Sequence, residues 1–137
     1  MKFLKLIAML FLVFLTSMFF FPFEFTFLPG VNTKMALAAV GLVLFAFDLA
    51  KGRTASLSRP FFFLSFLAAL VSLAAFASAV INHTNDYTYA SYIVSMWVWM
   101  GGAYVVVSAI KWLHGEATVE IVGNYIIAVC VMKCGIA

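Results

Sequence analysis

The residues best equipped for chemistry in this chain are few, and the first is a carboxylate inside an apolar run. Asp48 stands in "VLFAFDLAKGR", three residues before Lys51. An ionisable group within a membrane is a functional candidate by default, because placing it there is costly. Asp48 is close enough to the end of its run to reach a headgroup region, so pairing with Lys51 or Arg53 is the expected role. Glu24 and Lys34 flank a turn between two apolar runs and are candidates for holding a polar substrate at a surface, although isolated loop charges are usually just solvated. His83 could titrate near neutral pH as an acid–base group. It cannot share a metal with His114, which falls on the other side of an intervening span, and neither has a Cys or carboxylate at zinc-ligand spacing. Cys130 and Cys134, four apart on one helix face, have Cβ atoms ~5–6 Å apart, beyond the roughly 3.5–4.5 Å of an unstrained disulfide. They read as small packing residues. Asn82-His83-Thr84 matches a glycosylation triplet but abuts the end of a span, where an enzyme has poor access. There is no Gly-rich phosphate loop, no Ser/His/Asp grouping at a readable spacing and no pair of outside carboxylates. On these residues the chain holds no catalytic set of its own, no metal and no cofactor.

The elements that position these groups follow from composition. The 137 residues are 66% hydrophobic and only 9% charged, with a mean hydropathy of +1.15. Soluble chains run at about 45–50% apolar and about 25% charged. A chain this apolar must be solvated by lipid. Its formal charge of +3 is scattered and forms no basic tract of the kind that binds nucleic acid. A hydrocarbon core of ~30 Å takes roughly 20 apolar residues as helix, and four runs meet or approach this: about 3–21, 34–50, 61–81 and 93–113. A fifth begins near Val119 and runs to Ala137. Backbone groups in lipid must be satisfied internally, so each run is expected to be a helix. The fold class is therefore all-α: a single polytopic transmembrane bundle of four spans plus the start of a fifth. The fifth run, interrupted by Asn124 and Lys133, is expected to cross, with Lys133 snorkelling near the far interface; the alternative is an amphipathic helix on the inner surface.

One segment departs from this pattern. "FFFPFEFTFLPG", residues 19–30, puts Phe at every second position from Phe21 to Phe27, a strand-like period. With no visible partner strand, it reads as an extended interfacial segment whose rings dip into the acyl boundary while Glu24 and Thr26 face water. The first run is too long for a signal peptide, and bulky Phe19, Phe20 and Phe21 occupy the place of a cleavage site. It reads as a retained helix.

Orientation follows from the cations. With the N-terminus cytoplasmic, Lys2, Lys5, Lys51, Arg53, Arg59 and Lys111 all lie inside, and among the four-span loops only Lys34 lies outside. The loop "NHTNDYTYASY" carries no Lys or Arg. Tyr87, Tyr89, Tyr92, Trp97 and Trp99 mark the outer end of span four, and Trp112 its inner end. Span three carries a small-residue stripe, Ser65, Ala68, Ser72, Ala75 and Ala79. Span four answers with Ser91, Ser95, Val98, Gly102, Val105 and Ala109. Such stripes let helix backbones approach closely in lipid, so spans three and four are expected to pack as an antiparallel hairpin, and these faces could also take membrane-protein partners.

The stretch "SMWVWMGGAYVVVSAIKWLHG" followed by "NYIIAVCVMKCGIA" resembles the amino-terminal portion of bacterial O-antigen ligase and O-antigen polymerase-like proteins of the kind found in Bacteroides. "LPGVNTKMALAAVGL" adds to the likeness, which covers most of the chain through hydrophobic motifs of low specificity. The resemblance implies a multi-pass bacterial inner-membrane glycosyltransferase of ten or more spans. It implies transfer or polymerisation of glycans delivered on undecaprenyl diphosphate at the periplasmic face, without metal or nucleotide sugar. The family's functional Arg and His residues sit in later periplasmic loops that no position here matches, so no catalytic residue is carried over. On this resemblance the chain reads as an amino-terminal piece, its last run stopping inside a helix. Two other readings stand beside it. One is a complete small membrane scaffold or accessory subunit without catalysis. The other is a transporter or channel, which would need facing polar residues at mid-membrane that spans one to four scarcely offer.

Overall fold

A computed structural model describes residues 2–27, 30–51, 58–83 and 88–136. Among them it is an all-α bundle of five helices: α1 (Lys2–Phe20), α2 (Thr33–Ala50), α3 (Ser58–Ile81), α4 (Thr88–His114) and α5 (Val119–Ile136). The first four are long and apolar enough to cross a membrane. This is a membrane protein, and its surface reflects that: Phe3, Phe63, Leu73, Phe76 and Ile127 are all mainly exposed, as side chains solvated by lipid should be.

Local chemistry explains the helix ends. Asn32 caps α2, its side-chain oxygen accepting from the Met35 amide at 3.0 Å, which satisfies one of the orphan donors of a first turn. Pro60 sits in the first turn of α3, where its missing N–H costs nothing. Gly115 closes α4 with φ +81 and donates its amide to the Lys111 carbonyl at 2.8 Å, the left-handed stop that glycine adopts without strain. Thr118 then opens α5 by accepting from the Ile121 amide. Helix α4 starts at Thr88, earlier than the expected 93, because nothing between Thr88 and Tyr92 breaks a helix. At ~1.5 Å per residue its 27 residues outreach the ~30 Å hydrocarbon core, which leaves Tyr89 and Tyr92 exposed on its first two turns.

The chain direction alternates from α1 to α4, and two ends of the bundle result. Lys5, Lys51, Arg59 and Lys111 stand at one, called here the basic end; Lys34 stands at the opposite end. Arg53 lies outside the described residues, as do Leu28, Pro29 and Thr84. Helix α5 runs parallel to α1. Ile121 and Tyr125 share a groove with Met9 and Val13, and further along the Lys133 ammonium lies 5.3 Å from the Phe21 ring centroid. The fifth helix therefore stands upright beside the first, not flat across the basic end.

Helix α4 is the axis of the bundle, touching each of the other four. Its tightest partner is α2. A Cβ built on Gly41 would collide with the Gly101 carbonyl, and one built on Gly101 would lie 2.5 Å from the Ala38 carbonyl oxygen. Two glycines therefore let these backbones touch, the close approach that replaces hydrophobic drive in lipid. The stripe expectation is corrected here in one respect. On α3, Ala68 is buried and Ser65, Ser72, Ala75 and Ala79 are half-buried. On α4, however, Ser91 and Ser95 are exposed, Gly102 meets the Phe19 ring of α1, and Val105 meets Gly41 of α2. Helices α3 and α4 do pack, through larger groups: Trp97 Nε1 donates to Ser72 Oγ at 3.2 Å, and the Phe61 and Tyr104 rings lie 4.6 Å apart. The remaining core, around Leu12, Phe19, Val106, Ile110 and Tyr125, ties α1 and α5 to the other side of α4.

The Phe-rich segment has a partner after all. Glu24 forms an antiparallel bridge with Asn32, the Phe25 amide donates to the Val31 carbonyl at 3.0 Å, and the Thr33 amide to the Phe23 carbonyl at 3.1 Å. The partner is the chain's own return into α2, beyond a turn in which Gly30 adopts φ +84. Thr33, almost fully buried, completes the knot: its hydroxyl accepts from the Phe23 amide and donates to the Met18 carbonyl. The alternation still puts the rings on one side, Phe23 against Phe25 and Phe25 against Phe27.

Candidate functional site

Among the described residues, titratable side chains meet partners across helices at three places, besides the Trp97–Ser72 bond. The first is on α2 and α4 near the basic end. Asp48 does not turn to Lys51; its carboxylate accepts from the Tyr104 hydroxyl at 2.6 Å, while the Lys51 ammonium lies 5.6 Å from the Phe47 ring. The reason is helix geometry: Asp48 lies seven residues beyond Gly41, on the face that the glycine crossing presses against α4. Phe45 and Phe61 pack on the Tyr104 ring, with centroids 5.4 and 4.6 Å from it and 4.7 Å from each other. A charge-assisted bond in apolar surroundings is short and strong, so Asp48–Tyr104 acts as a clasp between helices.

The second place is at the opposite end. Lys34 leaves the first turn of α2 and puts its ammonium 3.1 Å from the Trp99 ring centroid and 5.4 Å from that of Phe19. Phe19 meets Trp99 edge-on at 5.1 Å, and Phe20 packs on both. The cation is thus shielded from lipid by aromatic faces and ties α1, α2 and α4 together. Glu24, an exposed bridge residue, belongs to the same end. His83, also exposed, follows α3 there with φ +46, a left-handed conformation that histidine, like asparagine and aspartate, adopts more readily than most non-glycine residues. Of the surface candidates, Lys34 alone is drawn into the bundle.

The third is the seam of α1, α4 and α5. His114 Nε2 and the Tyr125 hydroxyl lie 2.9 Å apart, at the floor of a groove of about 330 Å³ that Met9 and Val13 border on one side and Asn124 and Ala128 on the other. Cys130 and Cys134 are free thiols on the exposed side of α5. Among the described residues no three His, Cys, Asp or Glu side chains come together to hold a metal ion.

Chemically, the arrangement joins helices. Each polar pair links two helices through one hydroxyl, ammonium or indole. Sequence reasoning passes over Gly41, Gly101, Trp99, Tyr104 and Tyr125 as site residues. A signal exists for the tyrosines, since a phenol within an apolar span needs a hydrogen-bond partner, and Asp48 and His114 are both at hand. Comparison with known proteins finds no matching family model, no matching curated protein and no matching solved structure.

Proposed function

We propose that this chain is the membrane-embedded helical part of a bacterial enzyme that polymerises or ligates glycans carried on undecaprenyl diphosphate. In this reading it sits in the inner membrane with its N-terminus in the cytoplasm, and supplies frame rather than reacting groups. The observation that carries the reading is the resemblance of residues 95–115 and 124–137 to O-antigen ligases and polymerases. Supporting it, residues 95–114 of that stretch lie in α4, the helix on which all the others pack. Apolar faces on α1, α3 and α5 suit lipid or further helices. The clustering of Lys5, Lys51, Arg59 and Lys111 at one end supports the orientation.

A second reading, a non-catalytic scaffold or accessory subunit, is favoured by a different observation: the polar pairs within the bundle link its own helices. Deleting the gene separates the two. The glycan reading expects loss of long-chain surface glycan and accumulation of single-repeat lipid-linked glycan, both reversed by a wild-type copy. Surface glycan of unchanged length after deletion would sink it and leave the scaffold, to be pursued through whatever co-purifies with the chain.

A further inference from the structure

We propose that the groove between α1, α4 and α5 holds one acyl chain of a membrane phospholipid with a zwitterionic phosphate–amine headgroup, the headgroup lying at the basic end of the bundle. The inference does not depend on the glycan reading. Its first support is the lining. Met9, Val13, Ile121 and Ala128 are apolar, and the His114–Tyr125 pair is already joined. Outside that pair the Asn124 amide is the one polar side chain of the lining, so the groove suits hydrocarbon better than water.

Size then decides between kinds of hydrocarbon. A helix with its side chains is about 10 Å across, so a volume of about 330 Å³ would accept less than one turn of it. A stretch of a single alkyl chain fits along it, since the lining from Ile121 to Ala128 covers about 10 Å of helix rise. The groove also runs in the right direction. Met9 and Val13 are successive residues on one face of α1, and Asn124 and Ala128 on one face of α5, so its axis lies along the helices as lipid chains do.

Charge at the mouth identifies the headgroup. Lys5 stands one turn before Met9 on the same face of α1, and Glu120 one turn before Asn124 on the same face of α5. Both are exposed. With ~1.5 Å of rise per residue, each is about 6 Å beyond the groove residue above it, toward the headgroup layer. On α1 and α5 the charges one turn beyond the lining are thus a cation and an anion, which match a phosphate and an ammonium carried on one headgroup.

The test reconstitutes the full purified chain in vesicles of phosphatidylethanolamine and phosphatidylglycerol. A trace of either lipid carries a photoreactive diazirine in its acyl chain. After irradiation, adducts should concentrate on peptides covering residues 9–13 and 121–128, with the ethanolamine probe ahead of the glycerol probe. Ala128→Trp, which fills the groove, should lower adducts at residues 9–13 by about tenfold, the scale on which occupying an apolar pocket acts. Leu73→Trp, on the lipid face of α3, should leave them unchanged. Should Ala128→Trp fail to fold, Lys5→Gln and Glu120→Gln serve instead, since both sites are exposed and each should erase the headgroup preference. Adducts spread evenly over the outward faces of α1 and α3 would overturn the proposal. Equal labelling by the two wild-type probes would overturn the headgroup assignment. Labelling of the groove in vesicles but not in native membranes would mean that a protein covers it there, and would overturn the lipid as its occupant.

Discussion

Two seams of this bundle pair a tyrosine with a titratable group, and they are built in opposite ways. At the α2–α4 seam, Gly41 and Gly101 bring the backbones into contact, and the Phe45 and Phe61 rings pack on the Tyr104 ring that donates to Asp48. At the α1–α4–α5 seam, His114–Tyr125 lies beside an open groove. A Cβ placed on Gly123 or Gly135 of the fifth helix would meet none of the described residues within 4 Å. The same residue type therefore has two meanings in one molecule. A glycine strengthens a membrane helix pair only when a partner backbone occupies the space its side chain vacates. Where nothing does, it carries only its conformational cost of roughly 1 kcal/mol relative to alanine.

The largest expected effect breaks the closed seam. Gly41→Leu or Gly101→Leu forces α2 and α4 apart, pulling Tyr104 from Asp48 and Trp99 from Lys34. A loss of about 3 kcal/mol or more is expected, at or beyond the upper end of overpacking costs because backbone rather than side chain must yield. Thermal unfolding in mild detergent, followed by circular dichroism, measures it. Gly123→Ala is the contrast: no loss, and a gain of up to about 1 kcal/mol from helix propensity. Equal losses at Gly41 and Gly123 would erase the distinction between the seams.

Next in size is Tyr104→Phe. It leaves the half-buried Asp48 carboxylate without its 2.6 Å donor, and hydrogen bonds to charged groups are worth about 1.5–3 kcal/mol. A loss of about 2 kcal/mol is expected on that scale. The double variant Asp48→Asn with Tyr104→Phe should recover part of it, because the stranded charge is gone; a double variant no better than Tyr104→Phe alone would show that the cost lies in packing.

These seams mark the boundary of what can be read from the sequence. The helices are legible because lipid leaves the backbone one choice, and a run of apolar residues then becomes a helix almost by necessity: the run 34–50 predicts a helix and Thr33–Ala50 is found. Helix pairing is not legible. Small residues occur on several faces of α3 and α4, and only the meeting of Gly41 with Gly101 selects α2 as the partner of α4. Asp48 points to Lys51 in the sequence because three residues of separation is visible there, whereas Tyr104 is 56 positions away. The bridge from Glu24 to Asn32 escapes a sequence reading for a related reason. A hairpin of one residue pair has no second alternating run to announce it.

Lys34 gives the third prediction, at the far end of the closed seam. A cation on an indole face is worth about 0.5–1 kcal/mol when exposed and about 2 when desolvated. Lys34 is half-buried, so Lys34→Met should cost about 1 kcal/mol. Lys34→Arg retains the cation over Trp99 and should cost less. Trp99 fluorescence provides the second readout, changing on loss of the ammonium in Lys34→Met and much less in Lys34→Arg. Identical behaviour of the two variants would mean that Lys34 contributes through its alkyl stem and not its charge.

The smallest effect sharpens the comparison most. Tyr125→Phe removes the hydroxyl 2.9 Å from His114 while keeping the ring, which packs in the core with Leu12 and Ile110. Hydrogen bonds between membrane helices average about 0.6 kcal/mol, because each partner finds alternatives once the pair is lost. His114 has such an alternative: it lies in the last turn of α4 at the basic end, where a headgroup can reach its ring. Asp48 lies at the closed seam instead. Tyr125→Phe should therefore cost about 0.6 kcal/mol, well under half the loss expected from Tyr104→Phe, although each change deletes one phenolic oxygen. Equal losses would mean that the groove seals His114 as tightly as the α2–α4 seam seals Asp48. The difference between the two seams would then lie in their glycines alone.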